Sequence, residues 1–281
     1  MTWEVMERRA GLRYREAMQS SDTARPIGTL LRDWRQRRRL SQLDLAGEAA
    51  VSTRHLSYLE TGRAEPSREM VLRLADRLDV PLRERNRWLA AAGFAPMFAE
   101  RRLDDPDLAA ARAAIELVLK VHEPWPAFAV DRHWSMVAHN GIVPLLTAGC
   151  APELLAPPVN VLRLSLHPEG LAPRIANLRE WRGHLLSRLA RQTAASGDLT
   201  LEALHEELSR YPVPHADRVP PHSSGSDVVV PLVYDSPFGR LSFISTSTVF
   251  GMPNDVLLSE LALETMLPAD ASTQAALRAL V

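Results

Sequence analysis

The sequence contains very little cysteine and no long apolar run. Cys150 is the only cysteine among 281 residues, so the chain can form neither an internal disulfide nor a multi-cysteine zinc site. No apolar run approaches the roughly 20 residues that a membrane-spanning helix needs. Residues 1–4 lack the basic-then-apolar order of a signal peptide. We therefore expect a cytoplasmic protein that does not contact a membrane.

The motifs of the common enzyme classes are also missing. There is no GxxxxGK phosphate loop and no GxGxxG after a predicted strand. The segment His205-Glu206-Glu207-Leu208 is followed by Ser209, where the helix of a zinc protease carries its second histidine. The nine histidines form no metal-ligand spacing, and Cys150 has no evident activating partner. We expect no catalytic residues and no metal site.

Charge is distributed unevenly, although the net charge is only −1. Residues 1–100 contain 18 arginines and 14 acidic residues, a net charge of +4. The remaining residues contain 15 basic and 20 acidic residues, a net charge of −5. A weakly positive unit beside an acidic one fits phosphate binding at one end of the chain. The alternative is that surface charge happens to fall unevenly.

Apolar residues at helical spacing and helix-capping residues follow one another from position 27 to position 93. An apolar stripe predicts a first helix with Ile27, Leu30, Leu31 and Trp34 on its buried face. Ser41 and Ser52 are typical caps of a second and a third helix, and Gly62 is typical of a helix end. A fourth helix is predicted after Pro66 and a fifth over 82–92. We expect a compact five-helix bundle over residues 26–95, preceded by a flexible arm over 1–25.

The rest of the chain predicts a linking helix and a mixed domain. The helix is predicted over 108–121, within a linker of residues 96–123, where it is well placed to pair with its counterpart in a homodimer. Helices are predicted over 170–210 and 269–280, and a loop at Pro212–Ser226. Alternating or continuous apolar residues predict strands over 127–130, 134–137, 228–233, 239–249 and 257–267, and the apolar residues of the last segment could also lie on a helix. The fold class is α+β: an all-α five-helix bundle, then a domain over 124–281 with a five-stranded antiparallel sheet and inserted helices.

A set of residues between 27 and 80 has the pattern of a helix-turn-helix. The set consists of Arg35, Leu40-Ser41-Gln42, Leu45-Ala46, Val51-Ser52, Leu56-Ser57, Glu60, Gly62 and Pro66. With these residues the bundle resembles the Cro and phage-repressor type of helix-turn-helix, often called the XRE family. The resemblance implies a structural ion pair between Arg35 and Glu60. Proteins of this type place the start of the third helix in the major groove of double-stranded DNA.

Two sets of DNA contacts are predicted around the third helix. Arg54 is the main candidate for base recognition, because a guanidinium can donate two hydrogen bonds to O6 and N7 of guanine. A phosphate contact is its alternative. Thr53 and Tyr58 match base-contacting positions of the family. Phosphate contacts, which set the register without specifying sequence, are predicted for Gln42, Ser52, His55, Ser57 and Arg63.

The second half of the chain carries another resemblance. It rests on the spacing from His133-Trp134 to His139-Asn140, on Asn160–Leu164 and on the leucine-rich segment around Trp181 and Leu185. These segments resemble the PAS-like ligand-binding domain of MmyB-like regulators, which follows an XRE helix-turn-helix. The resemblance implies a small ligand such as a fatty acid, and an arginine at the mouth of an apolar cavity can pair with a carboxylate. The candidate ligand residues are Trp134, His139, Arg163, His167, Arg174, Trp181, His184 and Arg188.

Together these patterns predict a dimeric, sequence-specific transcription regulator. Its PAS-like domain would sense a small apolar or carboxylate-bearing molecule, and its partners would be double-stranded DNA, that ligand and a second copy of the chain. Two alternatives remain open. One is a sensor in which His139, His167 or His184 holds haem or another cofactor. The other is an adaptor that binds a protein through the proline-rich loop at 212–226.

Overall fold

The computed structural model describes residues 25–213, 217–218, 230–251 and 254–280. Within them the chain forms an N-terminal helical unit and a C-terminal α+β unit, which confirms the predicted fold class. The predicted arm lies outside the described residues except for Arg25, and so does most of the predicted loop at Pro212–Ser226. None of the described helices combines the length and the apolar composition needed to traverse a lipid bilayer.

Five helices form the N-terminal unit, and a serine caps three of them. The side chains of Ser41, Ser52 and Ser67 each accept a hydrogen bond from the backbone N–H three residues later, as expected for good N-caps. Buried side chains from all five helices meet in one core around Trp34 and Trp88. The helices are α1 (Ile27–Arg37), α2 (Gln42–Glu48), α3 (Thr53–Glu60), α4 (Arg68–Arg77) and α5 (Leu82–Ala91).

A buried ion pair joins α1 to the end of α3. Arg35 donates from Nε to Oε1 of Glu60 at 2.6 Å and from Nη2 to Oε2 at 2.9 Å, which confirms the predicted pair. Gln42 adds a hydrogen bond to Glu60 at 2.8 Å. Burial alone would raise the pKa of Glu60, but the hydrogen bonds from Arg35 and Gln42 outweigh it and lower that pKa. The stability that the pair provides is therefore complete above the ordinary pKa of glutamate and is lost as the pH falls through the lowered value.

The C-terminal unit is built on a five-stranded antiparallel sheet in the order β2-β1-β5-β4-β3. The strands are β1 (Ala127–Val130), β2 (Met136–His139), β3 (Leu232–Ser236), β4 (Gly239–Val249) and β5 (Ala262–Pro268). The strand last in sequence, β5, lies at the centre. It pairs Thr265 with Ala127 of β1 and Ala262 with Val249 of β4.

Helices cover both faces of this sheet. Those described are α6 (Ala109–Val121), α7 (Ile142–Thr147), α8 (Pro152–Leu155), α9 (Val161–Leu166), α10 (Leu178–Ser196), α11 (Leu199–Ser209), α12 (Val256–Ser259) and α13 (Ala271–Arg278). On one face, α10 packs Trp181 and Leu185 into the core that contains Phe243. On the other face, Ile115 of α6 packs in a cluster with Ala129 of β1. The strands are thus buried from two sides.

Three strand boundaries differ from the prediction, two of them because an aspartate side chain organises a turn. Asp255 accepts hydrogen bonds from the first N–H groups of α12, so the predicted strand over 257–267 is a short helix followed by β5. Asp131 accepts from the N–H groups of His133 and Ser135 in the turn after β1, and Trp134 adopts a φ of 67° there. As a result, β2 starts at Met136 instead of Trp134. The strand predicted over 228–233 begins at Leu232, and residues 228–229 lie outside the described residues.

The two units contact each other through arginines of the N-terminal unit. Arg83 on α5 donates to both carboxylate oxygens of Glu260, which follows α12, at 2.8 and 2.9 Å. Arg37 and Arg38, at the end of α1, each donate at 3.2 Å to one of the last backbone carbonyls of α10. The carboxyl end of a helix carries partial negative charge. Both contacts therefore join opposite charges.

We expect Glu60→Ala to destabilise the N-terminal unit by about 3 kcal/mol, because removing one partner leaves a buried, uncompensated arginine. Hydrogen exchange followed by mass spectrometry would measure the loss of protection in peptides from α1 to α3. The matched control is Glu69→Ala, which removes an exposed carboxylate paired with Arg73 on the surface of α4. That variant should change stability by less than about 0.5 kcal/mol. Equal effects of the two variants would contradict a structural role of the buried pair.

Candidate DNA-binding surface and ligand cavity

The third helix packs one face against the core of the N-terminal unit and leaves the opposite face accessible. Ser52 caps its start by accepting from the N–H of His55 at 3.1 Å. Leu56 and Leu59 are buried in the core of the N-terminal unit. Arg54 is exposed, as the amphipathic spacing predicts. The outward-facing, exposed or half-buried residues of the helix are Thr53, Arg54, His55, Ser57 and Tyr58.

Tyr58 positions the guanidinium of Arg54. Arg54 donates from Nε to the hydroxyl of Tyr58 at 2.9 Å, and its Cζ lies 5.3 Å from the centre of the tyrosine ring. The two residues are at positions i and i+4 of the helix, and side chains at this spacing are neighbours on the helix surface. Among the described residues, the two terminal nitrogens of Arg54 have no hydrogen-bond partner. The terminal nitrogens can therefore donate two hydrogen bonds, the number that O6 and N7 of guanine accept in the major groove.

The residues predicted to contact phosphates lie at the edges of this surface. Arg63 is exposed after α3, while His55 and Ser57 are half-buried on the helix itself. Gln42 stands at the start of α2, but its side-chain amide donates to Glu60 within the bundle. The side chain of Gln42 therefore supports the buried ion pair, and its phosphate contact remains a prediction.

An apolar cavity of about 120 Å³ lies between the sheet and the helices of the C-terminal unit. Its volume is comparable to the engineered cavity of about 150 Å³ that binds benzene. Strands β1, β3, β4 and β5 contribute Phe128, Leu232, Phe243 and Met266 to its wall. Its main helical and turn residues are Trp134, Val143, Leu146, Val161, Leu162, Leu164, Leu171, Trp181 and Leu185. A site with these walls suits a small, mainly apolar molecule.

A few polar groups interrupt the apolar wall. Arg188 on α10 and Glu264 on β5 both line the cavity and form an ion pair, in which the closest nitrogen–oxygen distance is 2.6 Å. Tyr234 donates its hydroxyl to the backbone carbonyl of Leu146 at 2.6 Å, and burial raises its pKa to about 12. Ser165 accepts from the indole N–H of Trp181 at 3.1 Å. These groups fix the walls and leave the Arg188 and Glu264 pair as the charged part of the site.

Three of the eight predicted ligand residues line the cavity: Trp134, Trp181 and Arg188. Arg163 does not, because both oxygens of Glu207 hold its guanidinium at 2.6 and 2.7 Å outside the cavity. Arg174 is also engaged elsewhere, donating to the carbonyl of Ala148 and to the sulfur of Cys150. Neither arginine lines this cavity, and a ligand contact of Arg163 or Arg174 stays a prediction.

The three predicted histidines are likewise absent from the lining. His139 lies on β2, where Nδ1 is 2.9 Å from the carbonyl oxygen of Asn140. His167 packs edge-on against the ring of Tyr211. His184 stacks behind Trp181 with ring centres 5.5 Å apart, and burial together with nearby arginines lowers its pKa. None of the three rings lines the cavity, although His184 packs against the wall residue Trp181.

Glu264 is the functional candidate that the sequence argument missed. The residue lies in a strand whose neighbours are apolar or uncharged, in the segment Ala262-Leu263-Glu264-Thr265-Met266. A buried carboxylate is rare unless it is paired. A single charge inside an apolar strand was the available signal, and the pairing with Arg188 on a distant helix explains it.

Two family matches show that the chain is a DNA-binding transcription regulator with a ligand-binding domain. Residues 26–88 match the family described as helix-turn-helix domain. Residues 111–280, which are 170 of the 281 residues, match the family described as MmyB-like transcription regulator ligand binding domain. The chain belongs to this MmyB-like family, as the resemblance predicts.

Similarity to curated proteins and to solved structures is low. No curated protein matches the chain significantly. One similar solved structure is titled "Structure of an RNA-binding Light-Oxygen-Voltage Receptor". It is 13% identical, the match covers 95% of this chain and 67% of that chain, and the TM-score is 0.27. At this TM-score the likeness supports no conclusion about fold or function.

We expect Val161→Trp to fill the cavity and to weaken binding of 1-octanol at least about tenfold, since the indole takes the space that the ligand needs. Isothermal titration calorimetry measures the change. The control is Leu199→Trp, which adds the same indole at a position that is 77% exposed on α11. Unchanged octanol affinity in the Val161 variant, with normal folding, would show that the ligand binds elsewhere.

Proposed function

We propose that this protein is a dimeric, sequence-specific regulator whose affinity for DNA depends on a small, mainly apolar ligand in the cavity of its C-terminal unit. The observation that carries the proposal is the combination in one chain of an outward-facing third helix and an apolar cavity at a charged pair. A two-fold dimer contacts two half-sites about one helical turn apart, so its operator should be nearly palindromic.

Base recognition is assigned to Arg54, with Thr53 and Tyr58 beside it. The side chain is exposed, and its Nε donates to the tyrosine hydroxyl, so the N–H groups of the two terminal nitrogens are left to donate to a base. A bidentate contact to one guanine discriminates between base pairs by roughly 1 to 3 kcal/mol. The phosphate contacts of Ser52, His55, Ser57 and Arg63 would set the register of the helix.

We expect Arg54→Ala to relax sequence preference at one base pair of each half-site by about tenfold, because the bidentate donor is lost. An operator library bound at fixed salt concentration and sorted by gel shift measures the preference. Arg77→Ala, at the exposed end of α4, removes an equal charge outside the predicted interface and serves as the control. A uniform loss of affinity for all sequences would assign Arg54 to phosphate binding.

The exposed side of α6 fits the predicted dimer. Ile115 and Leu119 attach this helix to the sheet, while Leu117 and Val121 are 61% and 71% exposed. Ala113, Ala114 and Val118 extend the exposed apolar surface on the same helix. Exposed apolar residues at i and i+4 form a stripe that a second copy of the helix can cover.

We expect Leu117→Glu to shift the protein from dimer to monomer, because a charge in an apolar helix contact is left unpaired. Light scattering during size-exclusion chromatography measures the mass, and binding to a palindromic operator should weaken in parallel. Leu199→Glu is the matched control at another exposed leucine. A dimer that persists in the Leu117 variant would assign the interface to another surface.

Two elements of the cavity wall lead directly to the N-terminal unit. Helix α10 carries Arg188 and ends at the carbonyls that bind Arg37 and Arg38. Strand β5 carries Glu264 and follows Glu260, which binds Arg83. A ligand changes DNA affinity only if it binds the DNA-competent and incompetent arrangements unequally. These two elements supply the physical connection that such a difference requires.

The alternative functions have less support. A haem or other cofactor held by His139, His167 or His184 would require these rings at the cavity, and each one packs elsewhere. The proline-rich loop of the adaptor alternative lies mostly outside the described residues. Within the described residues, no group of three or more His, Cys, Asp and Glu side chains is arranged to hold a metal ion. We therefore propose a regulator in which the cavity takes a small organic ligand.

A further inference from the structure

The charged pair in the cavity is complete on its own. Arg188 donates from Nη2 to Oε1 of Glu264 at 2.6 Å and from Nη1 to Oε2 at 3.1 Å, so both carboxylate oxygens are bound. Ser247 hydrogen-bonds to both partners. The side chain of Glu264 is only 4% exposed, and that of Arg188 is 27% exposed. The positive charge that a ligand would meet is therefore already neutralised.

Both partners are held by further contacts. Glu264 sits on the central strand of the sheet, opposite Phe128 on one side and Ser247 on the other. The guanidinium of Arg188 lies 4.5 Å from the ring centre of Trp134. That ring is held in turn by a hydrogen bond from its indole N–H to Gln192 at 2.8 Å. A ligand must accept the pair as it stands.

A charged ligand head is disfavoured at this pair, whichever its sign. A free carboxylate would approach a buried carboxylate that already occupies the arginine, and an ammonium would approach the guanidinium. Like charges in a site of low polarity repel strongly, and each would also lose its hydration. A neutral head that both donates and accepts hydrogen bonds avoids these costs. Among the described residues, Nε–H of Arg188 has no hydrogen-bond partner, and carboxylate oxygens can accept more than one hydrogen bond.

We propose that Glu264 determines ligand class, so that the cavity selects an apolar tail with a neutral alcohol or primary amide head and rejects the corresponding carboxylate. The inference rests on the proposed function, because it assumes that the cavity is the sensing site. It also changes the expectation drawn from the sequence, in which an arginine at the cavity would bind a carboxylate. Here that arginine has an internal carboxylate instead.

Four probes with the same tail test this selection: 1-octanol, octanamide, octanoate and octylamine. Calorimetric titration of the full-length protein gives the four affinities. The pH is about 7.5, where octanoate is negatively charged and octylamine is positively charged. For the wild type we expect octanol and octanamide to bind at least about tenfold more tightly than either charged probe. Glu264→Gln keeps the shape and removes the negative charge, so octanoate should gain about tenfold or more by pairing with Arg188.

Two further variants separate charge from general damage. Glu207→Gln removes the carboxylate of an equivalent two-bond pair with Arg163 outside the cavity, and it should leave all four affinities unchanged. Combining Arg188→Gln with Glu264→Gln removes both charges, so the octanoate gain should vanish while octanol still binds. Circular dichroism establishes that each variant is folded. If Glu264→Gln does not fold, the preference of the wild type among the four probes still decides the question.

The possible outcomes are distinct. Wild-type protein that binds octanoate as tightly as octanol overturns the inference and leaves ligand sensing in the cavity intact. A folded Glu264→Gln variant without any gain for octanoate also overturns it. If none of the four probes binds the wild type, both the inference and the proposed sensing role of the cavity are wrong. Preference for the neutral probes, reversed in the single variant and lost in the double variant, supports the inference.

Discussion

The central position of β5 is the constraint on which the C-terminal unit depends. This strand joins two hairpins that are separated in sequence by the 92 residues from 140 to 231, because it pairs with Ala127–Val130 on one side and with β4 on the other. Its side chains alternate between faces, as they must in a strand. Leu263 packs in the cluster of α6, whereas Met266 and Glu264 line the cavity. One strand thus fixes the sheet, the floor of the cavity and its negative charge.

The N-terminal unit is organised by a different interaction, the buried pair of Arg35 and Glu60. The carboxylate at the end of α3 is held by α1 and by Gln42 at the start of α2, so the relative orientation of three helices is fixed at one point. Leu56 and Leu59 complete the attachment from the core. The outer side of α3 is therefore presented rigidly, which base recognition by side chains requires.

Contacts between opposite charges join the two units. The N-terminal unit presents Arg83, Arg37 and Arg38 to the C-terminal unit, whose surface contributes Glu260 and the carboxyl end of α10. The same helix and the strand after Glu260 carry the two charges of the cavity. Helix α10 and strand β5 thus link the ion pair of the cavity to the contacts between the two units. In the proposed function, helix α10 and strand β5 would carry a change at the ligand to the DNA-binding unit.

Local patterns in the sequence determined most of the N-terminal unit, because helix caps, apolar spacing and turn residues act within a few positions of each other. They also indicated the sheet class, although the aspartates at 131 and 255 moved strand boundaries by organising turns. The ligand site was different. Trp134, Trp181 and Arg188 could be proposed from sequence, but the same reasoning also chose Arg163 and Arg174. Only the tertiary structure determined which arginine lines the cavity, because the carboxylate and carbonyl partners of the three arginines lie on elements distant in sequence, and no local pattern indicates which partner an arginine will contact.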